Sequence, residues 1–269
     1  MELTTISNTP ASILGLAGNN SIDARCLNKA FAAGINYFFF YELSAIKNLI
    51  DDLKTSLADE RQDIIVATGS ESRNLQKIKQ YLDLIRSRLN IDIVDVLFLE
   101  YVSPNDDLAY IQALLQEIET WKERGWIRYL GISTHNRAIA LDLIKQGQID
   151  ILMHRYNMAH RKAEKDVFPA AIEADIPAIA FTCTRWGALL KGHLGWQDRI
   201  PTAADCYRYA LSNKAISLAL TSPQTLAELE ENLQVLDRFQ LTQTEKTLWR
   251  SYGDLIYGKG QDSFETQWL

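Results

Sequence analysis

Four ionisable side chains stand at or just past the ends of apolar runs, and all four are of types that do chemistry. Glu100 follows Ile93-Val-Asp-Val-Leu-Phe-Leu99. His135 follows Ile127-Arg-Tyr-Leu-Gly-Ile-Ser-Thr134. Arg155 and Arg185 close two further runs that begin at Ile149 and Ile176. A guanidinium presents a planar fork of donors that matches carboxylate or phosphate oxygens bidentately. A carboxylate beside arginines stays ionised, and an imidazole titrates near neutral pH, which suits either to general acid or base work. Two arginines against one glutamate leave positive charge over, so the set suggests an anionic small molecule. Structural readings stand beside this one. Glu100 and Arg155 can be an ion pair without catalysis, and His135 can cap the helix that Asn136-Arg137 opens. Cys183 can pair with His135 as a nucleophile or be a plain core thiol. His160-Arg161-Lys162 with Glu164 reads as a solvated loop cluster. No HxxxH, HxH or Cys/His cluster has ligand spacing, so no metal site is expected.

The elements that must position these residues alternate along the chain. Eight short apolar runs, over 12–18, 35–41, 63–69, 93–102, 127–135, 149–157, 176–185 and 215–223, have the length and β-branched or aromatic content of buried strands. Helical period separates them. Leu108, Ile111, Leu114, Leu115, Ile118 and Trp121 follow three- and four-residue steps, with Gly125 as a stop. A later helix opens after Thr221-Ser-Pro223, with Ser222 as its cap and Pro223 at its first position. Strand–helix alternation implies a parallel sheet. Eight repeats favour a closed barrel, and Gly15-Leu-Ala-Gly-Asn-Asn20 is not the GxGxxG turn of an open dinucleotide-binding sheet. The 269 residues fit one such barrel, which needs ~250. The expected fold is therefore α/β: a single (β/α)8 TIM barrel over 1–269 with an additional C-terminal helix. In that helix Trp249, Tyr252, Leu255 and Ile256 are packing residues, and an aromatic end follows.

Composition narrows the function classes. The net charge is −6 and no Lys/Arg run forms a stripe, so no nucleic-acid partner is expected. Cys26, Cys183 and Cys206 form no disulfide framework. The start, MELTTISNTP, is not a signal peptide, and no run approaches ~18 apolar residues, so no membrane span is expected and the location reads as cytoplasmic.

Several stretches resemble the aldo-keto reductases, in order and over nearly the whole chain. They are Ser12-Ile-Leu-Gly-Leu-Ala-Gly18, Gly34-Ile-Asn-Tyr-Phe38, Ile64-Ile-Val-Ala-Thr68, Asp92-Ile-Val-Asp-Val-Leu-Phe-Leu99, Arg155-Tyr-Asn157 and Leu229-Glu-Glu-Asn232. The most specific is Arg124-Gly-Trp-Ile-Arg-Tyr-Leu-Gly-Ile-Ser133. The resemblance implies NADP(H)-dependent carbonyl reduction by an Asp/Tyr/Lys/His tetrad. Those four positions fall on Phe39, Ser44, Gly69 and Glu100, so none is kept. Tyr41 and Tyr101 are substitute phenols, although strand alternation turns Tyr101 away from the lumen. In the implied nicotinamide pocket Ser133 is kept, Thr134 and Met153 replace Asn and Gln, Phe181 replaces the stacking Tyr, and Glu228 stands where an Arg meets the 2′-phosphate.

The resemblance also fixes which residues face inward. Stepping by two from Phe39, Gly69, Glu100, Ser133, Met153 and Phe181 adds Tyr41, Glu71, His135, Arg155, Asn157, Cys183 and Arg185 toward the carboxyl ends of the strands, where this fold places function. Glu100, His135 and Tyr41 are then the candidate catalytic groups. Arg155, Arg185, Asn157 and Trp186 are the ligand contacts, and Ser133 and Phe181 the cofactor contacts. Three functions stay open: a repurposed barrel acting on an anionic small molecule, a non-catalytic binding relative, and an NADP(H) oxidoreductase with an atypical proton donor.

Overall fold

The computed structural model describes residues 2–258. Each apolar run becomes a strand: β1 (Leu14–Ala17), β2 (Tyr37–Phe40), β3 (Ile65–Ser70), β4 (Val94–Leu99), β5 (Ile127–Thr134), β6 (Ile151–Arg155), β7 (Ala178–Phe181) and β8 (Ile216–Thr221). All pairs are parallel and in chain order, and β8 returns to β1 with Leu14 beside Ala219, which closes the barrel. The helices are α1 (Arg25–Ala32), α2 (Ile50–Glu60), α3 (Leu75–Leu89), α4 (Leu108–Glu123), α5 (Arg137–Lys145), α6 (Val167–Glu173), α7 (Ala203–Leu211), α8 (Leu226–Asp237) and α9 (Gln243–Tyr257). None among the described residues is long and apolar enough to cross a membrane.

Two apolar layers hold the barrel. Tyr37, Phe39, Val96, Phe98, Met153 and Phe181 pack together in the lumen, while the alternate residues Phe38, Phe40, Leu97 and Leu99 pack outward against the helices. This two-residue period is the parity expected from the sequence.

The helix ends follow local chemistry. In α4 the apolar positions from Ile111 to Trp121 are buried, and Gly125 takes φ +66° just beyond the end, a conformation that costs glycine nothing. Asn136, not His135, caps α5, its side chain accepting from the Ile139 N–H at 3.0 Å. Thr225, not Ser222, caps α8, accepting from the Glu228 N–H at 3.2 Å. Thr225 and Glu228 have the spacing of a capping box, and Glu228 in turn accepts from the Gln224 N–H. Ser222 instead accepts from the Asn19 amide.

Helix α9 does more than add a layer. Arg161 pairs with Asp254, and Arg250 with Glu164 at 2.8 Å. The Tyr252 hydroxyl donates to the Leu189 carbonyl. The stretch 160–164, expected as a solvated cluster, is thus a docking seam, and His160 in it is buried. Gly253 makes the close approach possible: a Cβ there would lie 2.0 Å from the Met158 carbonyl oxygen. That backbone cannot swing aside as a side chain can. Gly253→Ala is therefore expected to destabilise the protein by about 1–3 kcal/mol, visible as a lowered melting temperature. An unchanged melt would mean that α9 is not seated on the 157–165 loop. The expected aromatic end lies outside the described residues.

Candidate functional site

The carboxyl ends of the strands carry a line of rings. Tyr41 follows β2, Tyr101 follows β4, His135 follows β5, and Phe181 ends β7. Ring centroids lie 5.7 Å apart for Tyr41 and Tyr101, 6.1 Å for Tyr101 and His135, and 5.0 Å for His135 and Phe181. Phe39 meets Tyr41 edge-on at 4.9 Å. Tyr101 belongs to this line against the expectation from strand alternation. β4 stops at Leu99, and Tyr101 takes φ +49°, which turns its ring back over the mouth. Thr182, Arg185 and Trp186 also have positive φ, at 55°, 52° and 51°. Such conformations are strained in residues other than glycine and tend to persist where a site requires them.

Glu100 lies beneath the rings. It is 1% exposed, and neither carboxyl oxygen has a hydrogen-bond partner within 3.5 Å among the described residues, although the Ser133 hydroxyl lies close enough to act on it. The Glu100–Arg155 ion pair considered from the sequence is therefore not formed. Burial pushes the carboxyl up to about 8; the Ser133 hydroxyl pulls it down, Glu71 pushes it up and Arg73 pulls it down. This reverses the expectation of an ionised carboxylate, because desolvation outweighs the one arginine that acts on it. Near neutral pH Glu100 is mostly a carboxylic acid, able to donate a hydrogen bond or a proton. Tyr41 is a poor substitute for a tuned phenol: burial, then Glu100, drives its hydroxyl far above the ordinary range. Tyr101 is pushed to about 12, chiefly by burial.

Two cavities open at this end. One, of about 490 Å³, is lined by Tyr41, Glu42, Glu71, Tyr81, Glu100 and Tyr101, with Gly69 and Ser70. The other, of about 710 Å³, runs between the ends of β1, β7 and β8, and its walls include Phe181, Cys183, Trp186, Ser222, Glu228 and Glu231. The sequence had placed Glu71, Tyr41 and Glu100 together, but it gave no sign of Tyr81, which arrives from α3 and donates to the Tyr41 carbonyl at 2.6 Å.

The other candidates sort differently. Asn157 is fully buried; its amide donates to the Thr182 carbonyl and accepts from the Ala159 and His160 N–H groups. It satisfies backbone groups that the turn after β6 leaves, and it lines neither cavity. Arg185 donates to the Ile256 carbonyl and so ties the β7 loop to α9. Arg155 is half-buried and walls neither cavity; its charge, after burial itself, helps hold His154 down at about 4. Trp186 is exposed on the wall of the larger cavity. Burial pushes the Cys183 thiol up to about 12, away from the thiolate that a nucleophile needs. No three His, Cys, Asp or Glu side chains among the described residues converge to hold a metal ion.

With this barrel and this mouth in view, the comparisons are decisive. The model of the "Aldo/keto reductase family" matches residues 18–198. The chain belongs to that family. A curated relative, the "Uncharacterized oxidoreductase YqkF" of Bacillus subtilis (strain 168), is 23% identical over 86% of this chain and 87% of its own. The aldo-keto reductase AKR11C1 from Bacillus halodurans, in its holo form, superposes with a TM-score of 0.76 at 21% identity, over 93% of this chain and 95% of that one. An aldo/keto reductase from Klebsiella pneumoniae in complex with NADP and acetate gives 0.76 at 15% identity, over 94% and 96%.

An aldo/keto reductase barrel implies NADP(H), and the fit can be tested residue by residue. Ser133 is fully buried and its hydroxyl accepts from the Tyr101 N–H; the Thr134 hydroxyl donates to the Val102 carbonyl. Met153 is fully buried and offers no amide. Phe181 still presents a ring. Among the described residues along the larger cavity, the only Asp, Glu, Lys or Arg side chains are Glu228 and Glu231. A dinucleotide phosphate would bring several negative charges to two carboxylates, and like charges repel. Among the described residues, the charges on this lining disfavour the phosphates of NADP(H).

Proposed function

We propose that this aldo/keto reductase family member works without hydride transfer, as a barrel that binds a small molecule at its mouth against the acid–base group Glu100. One observation carries the reading. A Cβ on Gly69 would lie 2.0 Å from the Glu100 Oε1 and 2.2 Å from its Cγ. The carboxyl side chain thus fills the space over Gly69, the position that the resemblance gives to the family's lysine. The two replacements depend on each other and describe a rebuilt site, not a merely eroded one. Within it Glu100 donates a hydrogen bond when protonated and accepts when ionised, and its burial excludes water from the exchange. The expected pair of anion-binding arginines is not carried forward, since Arg185 is committed to Ile256 and both cavities are walled by carboxylates.

A second reading, an NADP(H)-dependent oxidoreductase with an atypical proton donor, is favoured by the Phe181 ring and by the NADP held by the Klebsiella pneumoniae relative. Fluorescence titration with NADPH at low salt separates the two. No binding is expected even at millimolar cofactor. Micromolar binding that Phe181→Ala abolishes would overturn the proposal in favour of the oxidoreductase.

A further inference from the structure

Glu42, Glu71 and Glu100 line one cavity together with Tyr41, Tyr81 and Tyr101, and among the described residues no lysine or arginine shares that wall. We propose that this cavity is a site for a small organic cation, a primary ammonium group carried on an apolar body. The proposal rests on Glu100 being the binding group at the mouth, and it names the ligand class for that site.

The charge distribution argues for it first. Glu42 and Glu71 are exposed at the rim and Glu100 forms the buried floor, so the acidic character runs from solvent inward. Arg73, which pulls the Glu100 carboxyl down, offsets it only in part and is held elsewhere. Arg73 holds Asp106 at 2.7 Å and donates to the carbonyls of Glu100 and Tyr101 at 3.1 and 3.2 Å. An incoming ammonium would supply the missing positive charge, and its three N–H donors match a carboxyl group that has two unpartnered oxygens.

The walls suit the rest of such a ligand. The Tyr41 and Tyr101 rings are stacked, with an interplanar angle of 25°, and aromatic faces attract cations within ~6 Å of the ring centre. A bare metal ion fits worse, because the three carboxylates do not converge on one point. The space, about 490 Å³, is that of a small-molecule pocket, for which ~300–1,000 Å³ is typical.

Three isosteric probes test the class: benzylammonium, benzyl alcohol and benzoate, each titrated calorimetrically into the whole protein at low salt and about pH 8.5, where an ordinary amine is still protonated and Glu100 is mostly ionised. Benzylammonium is expected to bind at least about tenfold more tightly than benzyl alcohol, with no detectable binding of benzoate. Glu100→Gln should remove the preference for the cation. Glu71→Gln, at an exposed position where folding is not at risk, should weaken it about two- to fivefold. Benzoate binding as well as benzylammonium would overturn the proposal. Equal binding of benzylammonium and benzyl alcohol, both lost in Glu100→Gln, would leave Glu100 as the binding group and discard the cation. Binding of none of the three, or binding indifferent to Glu100→Gln, would discard both.

Discussion

Replacing Glu100 with glutamine is expected to abolish a steep fall in stability between weakly acidic and weakly alkaline pH. The sign follows from proton binding. The Glu100 carboxyl titrates near 4.5 when exposed and at about 8 in the fold. Between those values the native state keeps a proton that the unfolded chain has lost, so unfolding releases it. Stability is then fully present below about 4.5, declines as pH rises and levels off above about 8. At ~1.4 kcal/mol per unit, the full window corresponds to about 5 kcal/mol. Urea melts of both proteins across this range check it. Other carboxylates act in the opposite sense. Glu245, held down at about 2 by Arg208, and Asp23, held down at about 2 by Arg25, favour the fold as pH rises through their own range. Both are present in both proteins, so the difference between the two melting series isolates Glu100. A difference that stays flat with pH would show that Glu100 is solvated, and the rebuilt site would lose its main support.

The same residue shows what the sequence made legible. Apolar runs of strand length located every strand, because a parallel barrel buries both faces and its strands read as continuous apolar segments. Two-residue parity, fixed by the family resemblance, correctly put Glu100, Tyr41, His135 and Phe181 at one end of the barrel. Parity failed where the chain left the strand. Tyr101 lies two residues beyond β4 and takes a left-handed conformation, which no alternation rule contains. Arg185, past β7, likewise turned to a helix end and not to the lumen. The charge state of Glu100 was also hidden, since it depends on how much water the fold removes and not on which charged residues share the neighbourhood in sequence. The acidic cavity was hidden for a different reason: Tyr81 reaches it from a helix, and its position on that helix looks like ordinary packing.

The other large effect is expected on the same strand, at its opposite end. Asp95 is fully buried, as Glu100 nearly is, but its oxygens are fully engaged. It accepts from the Val66 N–H at 2.8 Å and from Arg128 at 2.9 Å, and it forms an ion pair with Arg61 at 2.8 Å. Arg128 also donates to the Thr4 and Thr5 carbonyls, which ties the N-terminal segment to the same knot. Removing one member of a buried ion network leaves the others unpaired in a poorly solvated place, so Asp95→Ala should cost about 3–5 kcal/mol. Asp95→Asn should cost less, because an amide oxygen can still accept from Val66. Neither change should alter ligand binding at the mouth, since the length of β4 separates Asp95 from Glu100. Chemical denaturation gives the first quantity and the probe titrations the second. Unequal binding in a well-folded Asp95→Asn variant would mean that the base of the barrel sets the shape of the mouth. If binding is unchanged, two buried carboxyl groups five residues apart divide cleanly: the partnered one holds the barrel together, and the unpartnered one is kept for a ligand.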